Sequence, residues 1–258
     1  MSLKSSLNSL LDARGRDLAK LLLRPSYIRP YLTGVNSVEF VSRVTQTNSE
    51  LIQRYQIEFF RNHHLRTEIC TALVERRGTT LGPGALSGAT YYALIRSLNP
   101  SLVVETGVFD GINTAIMLEA LEVNGHGRLI SIDLPARRKI SDSSGGMMDG
   151  QLPLGADPGW LIPDRLRHRH VMLLGDSRTL LPDVIKRCGV LDLFIHDSLH
   201  TAAHMTLEYD LAWPAIRSGG ILMSDDIFAK AAGRAFFRFC NKHKRQFTTH
   251  GNLGAIVK

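Results

Sequence analysis

A chain of 258 residues with 44% hydrophobic residues and a mean hydropathy near zero can bury a full core. It holds no apolar run near the roughly 20 residues that a membrane-spanning helix needs. The net charge of +7, from 31 basic and 24 acidic side chains, is concentrated in residues 1–45 and in Arg165-Leu166-Arg167-His168-Arg169-His170. Either stretch could meet phosphates or an anionic surface, or be a solvated face.

In residues 1–47, Leu3, Leu7, Leu10, Leu11, Leu18, Leu21 and Leu22 recur at helical spacing until Pro25 and Pro30 end the pattern. This reads as a basic, amphipathic helical appendage to a main domain at 48–258. Such a helix docks on its own domain, packs in a homo-oligomer or lies on a membrane surface. Met1-Ser2-Leu3-Lys4-Ser5 is unlike a secretory leader. Cys70, Cys188 and Cys240 fit neither a disulfide framework nor a metal pattern, so the expected compartment is the cytoplasm.

Asn48 to Arg77 is helix-like, 78–88 is a Gly/Pro loop, and a further helix through Tyr91, Leu94, Ile95 and Leu98 stops before Pro100. Strands and helices then alternate: strand 102–105, helix 113–123, strand 128–132, strand 171–175, helix 179–187, strand 191–196, helix 201–213, strand 220–224 and helix 230–243. Phe247–Thr249 and Ala255–Val257, around Gly251-Asn252, predict a closing antiparallel hairpin. The pattern is that of an α/β, doubly wound, mostly parallel sheet. The connection at 134–164 is too long for an ordinary βα loop and leaves from a strand's carboxyl end, as a substrate lid or a disordered insertion.

Each apolar run ends in acid: Glu105, Asp133, Asp176, Asp197 and Asp225-Asp226. Ligands of such sheets bind at the carboxyl ends of the strands. Gly107 and Gly111 in Glu105-Thr106-Gly107-Val108-Phe109-Asp110-Gly111 permit a tight turn and close backbone approach, but the spacing is not G-x-G-x-x-G, and no P-loop lysine follows. Asp133, ending the next strand, can accept both hydrogen bonds of a ribose diol. A nucleoside ligand without an essential pyrophosphate fits both features. If the strands ending at Asp197 and Asp225 are neighbours, their ends lie about 5 Å apart. Three carboxylates there repel unless a cation neutralises them, and oxygen ligands without cysteine favour Mg²⁺, Mn²⁺ or Ca²⁺. His200 can face the same crevice.

Ser101-Leu102-Val103-Val104-Glu105-Thr106-Gly107, Leu129-Ile130-Ser131-Ile132-Asp133, Gly175-Asp176-Ser177 and Gly219-Gly220-Ile221-Leu222-Met223-Ser224-Asp225-Asp226 resemble the successive motifs of class I S-adenosylmethionine-dependent methyltransferases. The resemblance runs from about Leu86 to Lys258 and is greatest to divalent-metal-dependent O-methyltransferases of the catechol and macrolide-sugar (macrocin, mycinamicin) types. It implies a seven-stranded sheet with the terminal hairpin and S-adenosylmethionine as cofactor. It also implies a small hydroxylated acceptor such as a sugar or natural product. By the same resemblance Glu105, Gly107 and Gly111 shape the methionine side of the site, Asn113 reaches the methionine carboxylate, Asp133 holds the ribose, and Asp176 with Ser177 borders the adenine. Asp197, Asp225 and Asp226 match metal ligands, and His200 matches the general base that takes the acceptor's proton.

The chain departs from that pattern at Asp197-Ser198-Leu199-His200, where the families often read D-G-D-H, and it has no lysine at the catechol-type base position. A catechol acceptor is therefore less expected. His196 and His204 are expected in core or supporting roles. Two other functions compete: a nucleic-acid-modifying methyltransferase using the basic stretches, and a non-methylating relative, hydroxylase-like or cofactor-binding, on the same fold. The first lacks the Asn-Pro-Pro-aromatic motif of base N-methylation.

Overall fold

The structure is a computed structural model that describes residues 34–78, 88–135, 152–228 and 232–258. The chain runs α1 (Ser37–Thr45), α2 (Ser49–Arg61), α3 (His63–Arg77), α4 (Gly88–Leu98), β1 (Leu102–Thr106), α5 (Ile112–Asn124), β2 (Arg128–Asp133) and a 3₁₀ turn (Asp164–Arg169). It continues with β3 (His170–Leu174), α6 (Ser177–Cys188), β4 (Leu191–His196), α7 (Ala202–Ala215), β5 (Ile216–Ser224), α8 (Ala232–Lys242), β6 (Phe247–His250) and β7 (Leu253–Val257). Residues 1–33 of the basic appendage expected at 1–47 lie outside the described residues, as do residues 136–151 of the lid expected at 134–164.

Seven strands form one sheet in the order β3-β2-β1-β4-β5-β7-β6. All neighbours from β3 to β5 are parallel, and β7 runs antiparallel to both β5 and β6. The predicted doubly wound sheet with a terminal hairpin is therefore present. The strand order reverses between β1 and β4, which makes their carboxyl ends the switch point.

Alternation along the strands divides the core. Val103, Leu193, Ile195, Ile221 and Met223 face one apolar layer with α1 to α5; Leu102, Val104, Phe194 and Leu222 face a second with α6, α7 and α8. Phe40 and Val41 of α1 are fully buried in the first layer. Val35 N–H also donates to Thr249 O (2.9 Å), so the segment before Asn48 packs with the main sheet.

The helix-like stretch read over 48–77 is two helices. Asn62 ends α2 with its backbone N–H on Glu58 O and Phe59 O, and starts α3 by accepting from Leu65 N. Its amide also donates to Glu119 Oε1 at 2.6 Å, fixing the break against α5. One asparagine serving as both caps leaves the apolar period almost uninterrupted, so the break is hard to see in the sequence.

At the switch point the backbones of β1 and β4 come unusually close. Gly107 sits at φ +84°, and a Cβ there would lie 2.1 Å from Asp197 O. Gly107→Ala is expected to destabilise the protein by roughly 1–3 kcal/mol from backbone conformation alone, with the clash adding to it. Chemical denaturation of the two proteins measures the difference; equal midpoints would show that β1 and β4 are not held this tightly.

Candidate active site

The register sets Thr106, His196 and Ser224 side by side at the ends of β1, β4 and β5. The next residues are tied across the strands, with Asp197 N–H on Thr106 O (2.8 Å) and Asp225 N–H on His196 O (2.9 Å). Asp197 and Asp225 thus stand at neighbouring strand ends, as the sequence predicts.

Among the described residues their charges are not balanced. Burial, then Asp225 and Asp226, push the Asp197 carboxyl well above the usual carboxylate range. Burial and Asp226 push Asp225 up to about 6. Among the described residues no Lys or Arg pairs with Asp197, Asp225 or Asp226. Asp225 Oδ1 accepts from Asp226 N–H (2.7 Å), and Asp226 Oδ1 accepts from Asn252 Nδ2 (3.0 Å). Asp226 is held at φ +51°, a left-handed backbone that non-glycine residues seldom adopt.

The donor chemistry suits a hard divalent cation: three carboxylates, half-buried, mutually repelling and without cysteine nearby. The side chains do not form a closed cage, for among the described residues no three His, Cys, Asp or Glu side chains are grouped to hold a metal ion. His200 stands beside them, its Nε2 buried without a hydrogen-bond partner and 3.8 Å from Asp197 Oδ1. Burial, then the neighbouring His196, lowers its imidazole to about 4, so the ring is neutral near pH 7.

The side chains from the other face of the same strand ends converge on Glu208, fully buried on α7. Its carboxylate receives Thr106 Oγ1 (2.6 Å), His196 Nδ1 (2.6 Å), His204 Nε2 (2.8 Å) and Ser198 Oγ (3.1 Å). Although burial opposes ionisation, these bonds and the two imidazoles hold Glu208 well below the usual carboxylate range. The adjacent Tyr209 hydroxyl donates to Ser224 Oγ at 2.6 Å. His196 and His204 are therefore supporting residues, but the sequence does not single out Glu208. Its only signal is the i, i+4 spacing from His204, which looks like any exposed helical pair.

On the β1–β2 side, Glu105 lies below the crevice. Its Oε1 accepts from Thr114 Oγ1 (2.8 Å) and Ser131 Oγ (2.6 Å), while burial raises the acid to about 7. Asp133 Oδ2 accepts from Val108 and Phe109 N–H (each 2.8 Å) and Oδ1 from Leu134 N–H (2.7 Å). This carboxylate therefore holds the turn after β1, in which Phe109 takes φ +52°. It has about one acceptor position left of roughly four, fewer than a diol gripped by both hydroxyls would use. Gly111 (φ +89°) begins α5 without a side-chain cap, leaving N–H groups open beside half-buried Asn113. A Cβ on Gly111 would meet Gly159 Cα at 2.8 Å.

Asp176 is the N-cap of α6, accepting from Arg178 N (2.9 Å) and pairing with the Arg178 guanidinium, which lowers its carboxyl. Ser177 is buried, with Oγ 3.2 Å from His204 Nε2. The end of the long insertion, from Leu152, packs on the β1–α5 turn. Gly159 N–H donates to Phe109 O (2.8 Å), and Trp160 Nε1 and Arg77 both donate to Asp110 Oδ1 (2.6 Å each).

Residues 104–227 match the family model described as a methyltransferase domain. Solved structures share the fold across most of their length. The O-methyltransferase TomG from Streptomyces achromogenes, solved with S-adenosylmethionine, is 17% identical, with TM-score 0.54 over 80% of this chain and 98% of its own. The calicheamicin methyltransferase CalS11 is 17% identical, with TM-score 0.52 over 81% and 91%. Podospora anserina methyltransferase PaMTH1, bound to S-adenosylhomocysteine, is 13% identical, with TM-score 0.51 over 82% and 96%. No curated protein sequence matches the chain significantly. The suspected class is borne out at the level of the fold: residues 104–227 match a methyltransferase domain, and the architecture is the class I S-adenosylmethionine-dependent methyltransferase fold.

Two expectations test these networks. Glu208→Ala leaves four donors, two of them fully buried, without their acceptor and should cost roughly 3–5 kcal/mol in chemical denaturation; a loss below about 1 kcal/mol would show the knot to be dispensable. His170 contacts Ser131 Oγ at 2.7 Å, and burial, then Arg167, lowers it to about 4. The unfolded chain therefore takes up this proton first, so His170 contributes stability above about pH 6.5 that is lost as pH falls toward 4. Glu105, raised, acts in the opposite sense, contributing below about pH 4.5 and losing that contribution as pH rises through 7. The comparison is thus with His170→Gln, whose stability should fall less steeply between pH 6.5 and 4.5; parallel curves would remove the assignment.

Proposed function

We propose that the protein is an S-adenosylmethionine-dependent O-methyltransferase acting on a hydroxyl of a small molecule, a sugar or natural-product scaffold, with a divalent cation assisting deprotonation. The observation that carries this reading is the group of unbalanced acids Asp197, Asp225 and Asp226 beside a neutral, unpartnered His200 at the switch point. TomG acts in tomaymycin synthesis, and a structure of CalS11 names it a TDP-rhamnose 3′-O-methyltransferase. Their likeness of fold supports the proposed substrate class.

In this reading the cofactor lies across β1, with Asp133 toward the ribose, Asp176 and Ser177 toward the adenine, and Glu105, Gly107 and Gly111 shaping the methionine end. The open N–H groups of α5 and Asn113 suit the methionine carboxylate. Asp197, Asp225 and Asp226 would hold the cation. A divalent ion there makes an acceptor hydroxyl more acidic. His200 offers a free Nε2 lone pair for the proton, and Asp197 at 3.8 Å stabilises the imidazolium that results. Holding the acceptor oxygen in line with the methyl group supplies much of the remaining acceleration.

The basic cluster favours this reading over nucleic-acid modification. Arg165 pairs with Glu68 (2.9 Å) and Glu119 (2.7 Å), Arg167 with Asp164 (3.0 Å), and Arg169 with Glu122 (2.5 Å). Those charges brace the fold.

Calorimetry with S-adenosylhomocysteine tests the cofactor. Asp133→Ala should weaken binding roughly 10–100-fold, the value of a hydrogen bond to a charged group; unchanged affinity would end the ribose assignment. With labelled S-adenosylmethionine and a panel of nucleotide-activated and glycosidic sugars, transfer to oxygen should stop in excess EDTA and return with Mg²⁺. Full turnover in the chelator would remove the cation from the mechanism.

A further inference from the structure

Glu105 is 3% exposed at the end of β1, and it is held from one side. Both hydrogen bonds it accepts from described residues fall on Oε1, from the buried hydroxyls of Thr114 (2.8 Å) and Ser131 (2.6 Å). Ser131 has a single hydroxyl proton and spends it on Glu105. The 2.7 Å contact between Ser131 Oγ and His170 Nε2 is then carried by a proton on the ring nitrogen. His170 is thereby fixed as the Nε2–H tautomer. A chain of aligned donors runs from half-buried His170 on β3, through Ser131 on β2, to Glu105 on β1. In the sequence His170 closes the basic run that starts at Arg165, and nothing there sets it apart from a surface charge.

Opposing forces act on this carboxyl. Burial raises it to about 7 and Asp133 adds to the rise, while the Ser131 and Thr114 hydroxyls favour the charged form. The other titratable groups that bear on it, Asp197 beyond β4 and the Tyr91 phenol on α4, bring no positive charge. Among the described residues no Lys or Arg pairs with Glu105. Burial, then Arg167, lowers His170 to about 4, so near pH 7 the titrating member of the chain is Glu105. A buried carboxyl that lacks a positive partner ionises when a ligand brings one, and the amino-acid end of S-adenosylmethionine carries an ammonium. Resting on the assignment of Glu105 to the methionine end above, we propose that Ser131 and His170 are positioning residues of the cofactor site: they hold Glu105 by Oε1, present Oε2 to the ammonium, and so link cofactor binding to the release of a proton. The proton that Glu105 carries in the empty site leaves Oε2 for solvent, and the ammonium takes its place.

The experiment is calorimetry on the full-length protein with S-adenosylhomocysteine between about pH 6 and 8, in buffers of different ionisation enthalpy, which reads affinity and protons released together. The desamino analogue, which lacks the ammonium, is the second ligand. Wild type should bind S-adenosylhomocysteine about tenfold more tightly at the upper end than at the lower, releasing a proton below the midpoint; the analogue should show no such rise. Ser131→Ala removes one donor from Oε1 and should move the midpoint up by roughly one pH unit. His170→Leu should move it the same way, and His170→Gln, whose amide keeps a donor in place, should recover most of the shift. Thermal unfolding checks that each variant is folded, and the His170 pair decides if Ser131→Ala is not. Equal midpoints in wild type, Ser131→Ala and His170→Leu would overturn the positioning role alone. Wild-type binding without proton release, with the analogue bound as tightly, would place the ammonium elsewhere and overturn the assignment of Glu105 with this inference. A wild-type protein that binds neither ligand would overturn the cofactor reading itself.

Discussion

A carboxylate with no access to water has to be satisfied by the protein, and Glu208 is satisfied by four donors from three parts of the chain. Thr106 ends β1, His196 ends β4, Ser198 lies in the loop after β4, and His204 shares α7 with Glu208 itself. The next residue, Tyr209, reaches Ser224 at the end of β5. Two consecutive positions on one helix therefore register the ends of three strands. Since the crevice is built from the residues just beyond those strand ends, its shape depends on this buried knot more than on any exposed side chain.

Alternation then determines what the crevice contains. Thr106 and His196 turn toward α7 and donate to Glu208, Ser224 accepts from Tyr209, and His196 Nε2 is left without a partner; one residue later the chain emerges on the opposite face as Gly107, Asp197 and Asp225. The two sides of the strand ends are opposites electrostatically. Glu208 is held ionised by its donors, whereas Asp197 and Asp225 are pushed toward their neutral forms by burial and by one another. A fold that holds one buried carboxylate ionised and leaves the neighbouring acids without a basic partner among the described residues has placed the imbalance where ligands bind in sheets of this topology.

Much of this was legible in the sequence, for a physical reason. Buried parallel strands are short apolar runs, and an acid at the end of each breaks the run at the level where ligands sit; hence β1 to β5 and their terminal acids could be read directly. What could not be read depends on contacts between distant segments. Glu208 sits in a helix where a carboxylate usually faces water. Gly107 is required by the backbone of Asp197, ninety residues away in sequence, as much as by any ligand. Residues 34–47 read as part of an appendage because they precede the helix-like stretch that starts at Asn48, yet Phe40 and Val41 fill the main core.

Asp133 illustrates how one side chain serves fold and proposed function together. Its carboxylate binds the N–H groups of Val108 and Phe109 and so stabilises a turn in which Phe109 has a left-handed backbone. Without that acceptor the two N–H groups would point unpaired toward the crevice, and the strained turn would relax. A ribose approaching the same carboxylate would find the turn already shaped and one acceptor position open, so a grip by one hydroxyl needs no rearrangement. A grip by both requires the turn to yield one of its bonds. The first arrangement keeps the floor of the site rigid during binding, and rigidity there is what an in-line methyl transfer demands, because the reacting atoms must be held in contact rather than merely brought near.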